Sequence, residues 1–369
     1  MHRDTLILNA GYRRTNDPGA MMSGPEFVST YVAPGDPSQH RLTYGRFDNP
    51  TWAHWEEALG ALEGGRAVSF ASGMAAVSAV LGVCLRPGDV LVLPAESYYT
   101  VRTLASTWLE TIGVEVRLAP TRGNGQADVL EGARLLWLET PSNPSLDVCD
   151  IAELASRAHA AGALVAVDNT TATAYLQQPL ALGADYVVAS DTKAVTGHAD
   201  LILGHVATRD PALESPLREW RTRHGAIPGP MEVWLAHRSL ATLPLRLSRQ
   251  CASALQLAEL LAARKDVHAV RYPGLAAHEG HQVAARQMSA FGCVVSFDLS
   301  TRARAEAFLG ALELVREATS FGGVHSTAER RARWGGDAIG DGFIRFSVGC
   351  EAIEDISRDV ERALDAARR

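Results

Sequence analysis

Lysine is nearly absent from this sequence. Its 369 residues carry only two, Lys193 and Lys265, against thirty-three arginines. Lys265 lies in Ala-Arg-Lys-Asp, at the end of a helical pattern, where a solvated charge needs no further explanation. Lys193 follows an apolar run, which is a less ordinary place for an amine. Excess basic charge is missing as well. The formal net charge is −7 and no basic block or tail occurs, which argues against a nucleic-acid partner. Cysteines number five, an odd count, and none shows metal-ligand spacing. A disulfide framework is therefore excluded as the organising principle, and a reduced, cytoplasmic setting is expected. The start, Met1-His2-Arg3-Asp4, has no apolar signal core. The uncharged run over residues 67–85 is about as long as a membrane span. Ser69, Ser72, Gly73, Ser78 and Gly82 interrupt it, so it reads as a buried strand, turn and helix, and no membrane partner is expected.

The chain is 47% hydrophobic, enough for a large domain and a smaller one. Residues 1–48 are rich in Gly and Pro, as in Ala33-Pro34-Gly35-Asp36-Pro37, and read as an N-terminal arm. Over residues 49–232, short apolar runs alternate with helical stretches. Strands are expected at 67–70, 89–93, 114–118, 134–138, 164–167 and 186–189. Continuous apolar strands between helices imply an α/β unit with a mostly parallel sheet covered on both faces. From 233 to 369 the texture changes to a smaller α+β domain, with a long helical run over 231–262, strands at 292–298 and 343–348, and a closing helix near 354–367.

Three polar residues follow strands directly: Asn143, Asp168 and Lys193. In an open parallel sheet, ligands bind beyond the carboxyl ends of the strands, so these side chains are expected to share one crevice. An amide, a carboxylate and a lysine amine together suit pyridoxal 5′-phosphate (PLP). That cofactor is held as an imine by lysine, and a carboxylate keeps its ring nitrogen protonated. Ser72-Gly73-Met74 leads from a strand into a helix, whose first N–H groups can cradle a phosphate. Ser190 and Thr192 offer hydroxyls to the same anion. Tyr98 is placed to stack on the ring, and Arg345, inside an apolar strand, needs an anionic partner that a substrate carboxylate would supply. Ser320, before Phe321-Gly322-Gly323, can assist through its backbone.

Seven stretches, in this order, resemble the Cys/Met-metabolism family of PLP enzymes: Tyr44 to Thr51, Ala71-Ser72-Gly73-Met74, Glu139 to Pro144, Val167-Asp168-Asn169-Thr170, Ser190 to Lys193 with Gly197-His198-Ala199-Asp200, Ser320 to Gly323, and Arg345 to Gly349. The resemblance covers residues 40 to 365. It implies the aspartate-aminotransferase-like fold (fold type I), with a seven-stranded-type sheet and a smaller C-terminal α+β domain. It implies PLP as cofactor, with Lys193 and Tyr98 catalytic. Tyr44, Arg46, Ser72, Gly73, Met74, Asp168, Ser190 and Thr192 would bind PLP, with Asn143, Ser320 and Arg345 holding the substrate carboxylate. Tyr44 and Arg46 would reach the neighbouring subunit's phosphate, within a homotetramer built from two dimers.

The expected activity is γ-elimination on a small sulfur amino acid, L-cystathionine, giving cysteine, 2-oxobutyrate and ammonia. The alternatives are cystathionine γ-synthase, then cystathionine β-lyase or methionine γ-lyase; a PLP-binding protein without turnover comes last. Some positions depart from the family pattern. Tyr98-Tyr99-Thr100-Val101 replaces Tyr-Gly-Gly-Thr, with Tyr99 the alternative stacker. Thr319 stands where a glutamate often precedes the serine of the Gly-Gly motif, and Thr43 where an acidic residue is common. The segment 324–344 is short and carries His325, Arg330, Arg331, Arg333 and Trp334.

Overall fold

The computed structural model describes residues 1–12 and 18–368. A seven-stranded sheet forms first in the chain: β1 (Arg66–Phe70), β2 (Val90–Pro94), β3 (Glu115–Ala119), β4 (Leu135–Glu139), β5 (Leu164–Asp168), β6 (Tyr186–Ala189) and β7 (Gly204–Thr208). Their spatial order is β1-β7-β6-β5-β4-β2-β3. All neighbours pair parallel except at β7, which runs antiparallel to both β1 and β6. The sequence reading finds six of these strands and overlooks β7. Gly204-His205-Val206-Ala207-Thr208 is as long as its neighbours but only partly apolar, and is recognisable mainly by its pairing.

Both faces of this sheet are buried. Leu91, Leu93, Leu135, Trp137 and Val188 join one core, while Val92, Leu136, Leu138, Val165 and Val167 join another. Consecutive strand residues point to opposite faces, so burying both requires the unbroken apolar strands seen in the sequence. Residues 67–85 resolve into β1 and the helix Gly73–Cys84. No helix among the described residues is long and apolar enough to cross a membrane.

Later in the chain, β8 (His268–Arg271), β9 (Val294–Asp298), β10 (Arg316–Glu317), β11 (Thr327–Arg330) and β12 (Phe343–Ser347) form a second sheet of order β10-β11-β12-β9-β8. Helices Leu243–Ala263, Arg302–Ala311 and Ile353–Ala366 pack on it through a core that includes Leu257, Phe297, Phe308, Phe346 and Ile356. The helical run expected over 231–262 is in fact two helices, Pro230–Leu240 and Leu243–Ala263. Pro244 occupies the first turn of the second, where its missing N–H costs no intrahelical bond. β10, only two residues long, and β11 are overlooked too. The residues of β11, Thr327-Ala328-Glu329-Arg330, are too polar to signal burial.

Candidate active site

Because β7 reverses between β1 and β6, the strands β1, β2, β4, β5 and β6 all end along one edge of the sheet. The residues after those ends meet there. Ser72, Gly73, Met74, Tyr98, Asn143, Asp168, Ser190, Thr192 and Lys193 line one cavity of about 420 Å³, closed by Ser320 and Arg345 from the later part of the chain. Eleven of the thirteen residues singled out from the sequence are thereby brought together. Tyr44 and Arg46 are not. Arg46 donates to the Thr222 carbonyl at 2.7 Å, and its guanidinium lies 5.4 Å from the Tyr44 ring centroid, away from this cavity.

Ser72 caps the helix Gly73–Cys84, its side chain accepting from the Ala75 N–H at 3.1 Å. The first two amides, of Gly73 and Met74, belong to residues on the cavity wall and have no helical acceptor, which makes an anion cradle. The backbone here is packed tightly. A Cβ on Gly73 would lie 2.7 Å from Ser190 Cβ, and one on Gly204 would lie 2.6 Å from the Ser72 carbonyl. Thr192 Oγ1 is engaged by the Leu203 backbone, donating to its carbonyl at 3.1 Å and accepting from its N–H at 3.0 Å. That pins the turn which carries Lys193.

Lys193 Nζ donates to Ser320 Oγ at 2.9 Å and lies 5.4 Å from the Phe321 ring centroid. Burial lowers its pKa to about 8, with the Arg345 charge next in effect; Glu329 and Asp168 oppose the shift. An amine of lowered basicity gives up its proton more readily, which makes it a more competent nucleophile and base. Asp168 is buried at the end of β5, accepting from the Thr170 N–H at 3.0 Å. Arg345 is also buried. Its Nη1 donates to Asn143 Oδ1 at 2.7 Å and its Nη2 to the Ser320 carbonyl at 2.9 Å. Ser320 itself has a left-handed backbone, at φ 78°.

The sequence reading gives no role to Glu139, which the structure places at the centre of the site. It ends β4, opposite Asp168 in register. One oxygen accepts from the Tyr98 N–H at 2.7 Å and the other from the Asn143 N–H at 2.8 Å. A single carboxylate thus fixes both Tyr98 and the residue whose amide meets Arg345. Burial, followed by the Asp168 charge, drives the Glu139 carboxyl well above the usual carboxylate range. Its position after an apolar strand is the same signal that marks Asp168. Thr170, Tyr99, Thr319, Arg331 and Trp334 also line the cavity.

These groups fit PLP: an amine of lowered basicity, a buried carboxylate, a tyrosine ring on the wall and a helix-end cradle with a glycine that no side chain could replace without clash. A model of the Cys/Met-metabolism PLP-dependent enzymes matches residues 4–365. The chain belongs to this family. It is PLP-dependent, with Lys193, Asp168 and the Ser72–Met74 turn the residues whose chemistry fits the cofactor.

Known relatives in this family carry several activities. A Streptomyces coelicolor protein provisionally named a cystathionine gamma-lyase is 56% identical over 349 residues, covering 93% of this chain and 88% of that one. A Micromonospora echinospora structure is 41% identical with a TM-score of 0.93, covering 99% of each chain; that protein is described both as a methionine gamma lyase and as a cystathionine gamma lyase. A cystathionine gamma synthase from Xanthomonas oryzae, solved with aminoacrylate and cysteine, is 35% identical with a TM-score of 0.95, covering 100% of this chain and 99% of that one.

Proposed function

We propose that this family member is a carbon–sulfur lyase that cleaves the Cγ–S bond of L-cystathionine, releasing cysteine and, with water, 2-oxobutyrate and ammonia. The observation that carries the reading is the 56% identity to the Streptomyces protein over nearly the whole chain. The cavity supports it with one base of lowered pKa and one carboxylate-binding fork.

PLP, when bound, supplies the electron sink that makes the Cα and Cβ protons of an amino acid removable. The chain's residues do the rest. Arg345, oriented by Asn143 and the Ser320 carbonyl, would bind the α-carboxylate and so orient the substrate's Cα. Asp168 would keep the cofactor's ring nitrogen protonated. Lys193 Nζ takes the Cα proton and then moves protons at Cβ, the general acid–base role its lowered pKa suits. Tyr98 would stack against the bound cofactor and give its hydroxyl proton to the departing sulfur. Glu139 keeps Tyr98 and Asn143 in place throughout.

Tyr44 and Arg46 are proposed to complete the phosphate site of a partner subunit in a homotetramer. Their place outside this chain's own cavity supports that, as does the exposure of Tyr44 and Phe47. The chain is further read as an arm (1–48), a PLP-binding domain (49–232) and a C-terminal domain (233–369). Five free cysteines, four of them buried, favour a cytoplasmic enzyme. A second reading, γ-replacement with an incoming thiol, draws on the likeness to the Xanthomonas synthase.

The test is proton exchange. In D2O with L-cystathionine, the reading requires deuterium at both Cα and Cβ of the four-carbon half, and 2-oxobutyrate labelled at C3. Exchange confined to Cα, with pyruvate formed, would replace it with β-elimination. Turnover only when a thiol and an activated homoserine ester are supplied would favour the synthase.

A further inference from the structure

A second charged cluster stands behind the Arg345 fork, and the chemistry above does not use it. Its hub is Glu329 on β11, which pairs in register with Arg345 on β12. The Glu329 side chain is 1% exposed. Its Oε1 accepts from Arg345 Nη2 at 2.5 Å, Arg331 Nη1 at 3.0 Å and Thr319 Oγ1 at 3.3 Å. Its Oε2 accepts from Trp334 Nε1 at 2.8 Å and Arg333 Nη2 at 3.0 Å. Arg331 reaches onward to Asp337 at 2.7 Å.

These donors come from two places. Arg345 sits at the carboxylate end of the cavity, while Thr319, Arg331 and Trp334 are wall residues. One buried carboxylate therefore joins the fork that grips the substrate to the wall around its side chain. A buried carboxylate met by five donors is held hard, and each donor is held in turn by it. Without Glu329, three guanidiniums would crowd together and Arg345 Nη2 would keep only the Ser320 carbonyl.

We propose that Glu329 is a positioning residue that sets substrate length. It fixes the Arg345 fork and the Arg331–Trp334 wall at one separation, so that an amino acid gripped by its α-carboxylate meets the wall with the end of its side chain. This rests on the reading of the cavity as the amino-acid site, and not on which bond is broken.

The test uses the PLP-loaded enzyme, the variants Glu329→Gln and Trp334→Phe, and two amino acids that carry no sulfur leaving group, L-alanine and L-norleucine. Affinities are read from the change in the cofactor's visible absorbance. Alanine reports the fork alone; norleucine reports fork and wall. Glu329→Gln is expected to weaken alanine by about tenfold, the loss of one charge-assisted contact, and to alter the norleucine-to-alanine ratio. Trp334→Phe keeps an aromatic ring at the wall, smaller than the indole, and removes the bond to Glu329. It should move that ratio by about fivefold while alanine stays within about twofold.

An unchanged ratio in both variants, with only a lower melting temperature, would overturn the proposal. If Glu329→Gln does not fold, the Trp334→Phe ratio decides alone. A failed lyase assay with the ratios behaving as described would leave this proposal standing.

Discussion

The two ends of the cavity are built by different means. The PLP-facing end is made of residues that directly follow parallel strands: Ser72 after β1, Asp168 at the end of β5, Lys193 after β6. Each is placed by local chain direction, and the sheet aligns them. The opposite wall is made of long side chains on the turn after β11, Arg331 and Trp334, held by one buried carboxylate. Backbone order defines the first end and charge pairing defines the second. On the proposed reading the first serves cofactor and chemistry, and the second selects which amino acid enters.

If that contrast is right, substitutions at the first end should stop the reaction, and those at the second should redirect it. Lys193→Ala is expected to have the largest effect, a loss of turnover on the order of 10³-fold or more together with the visible absorbance of the bound cofactor. Retention of that absorbance would break the assignment. Arg345→Gln should raise KM for the amino acid by roughly ten- to a hundredfold through lost charged hydrogen bonds, with a smaller effect on kcat; a fall in kcat alone would contradict its role.

Glu139→Gln sits at the join between the two ends. A glutamine oxygen can accept from Tyr98 or Asn143 but its NH2 cannot accept from the other, leaving one buried N–H unmet at a cost of about 1–3 kcal/mol. The melting temperature and the affinity for PLP should both fall. Gly73→Ala drives a methyl to 2.7 Å from Ser190 Cβ. It should cost about 1–3 kcal/mol and loosen PLP while sparing the norleucine-to-alanine ratio. The smallest effect is a pH dependence. Burial lowers the Lys193 pKa to about 8, so its amine is protonated below that value and neutral above it. Capture of PLP by the apoprotein should quicken as pH rises through about 8, and a rate flat across that range would count against a free Lys193 amine as the capturing group.

Much of the first end was legible in the sequence. Apolar runs marked the strands, and a lone lysine, an aspartate and a Ser-Gly step stood just beyond them. Glu139 carried the same positional signal, but an acidic residue beside a proline-rich turn reads as ordinary until its two N–H partners are seen. β7 stayed hidden because Gly204, His205 and Thr208 break up its apolar residues, although the site depends on its starting at Gly204. Glu329 could not be found from sequence. Its partner Arg345 lies on the neighbouring strand, and only the pairing of β11 with β12 makes the two meet. Tyr44 and Arg46 were named through family resemblance, and a single chain does not bring them to its own cavity.

The measurement that bears most directly on the central claim is the product set from PLP-loaded enzyme and L-cystathionine, with Lys193→Ala alongside. The account predicts cysteine and 2-oxobutyrate in equal amounts, both lost in the variant. Homocysteine with pyruvate, or products that persist without Lys193, would contradict it.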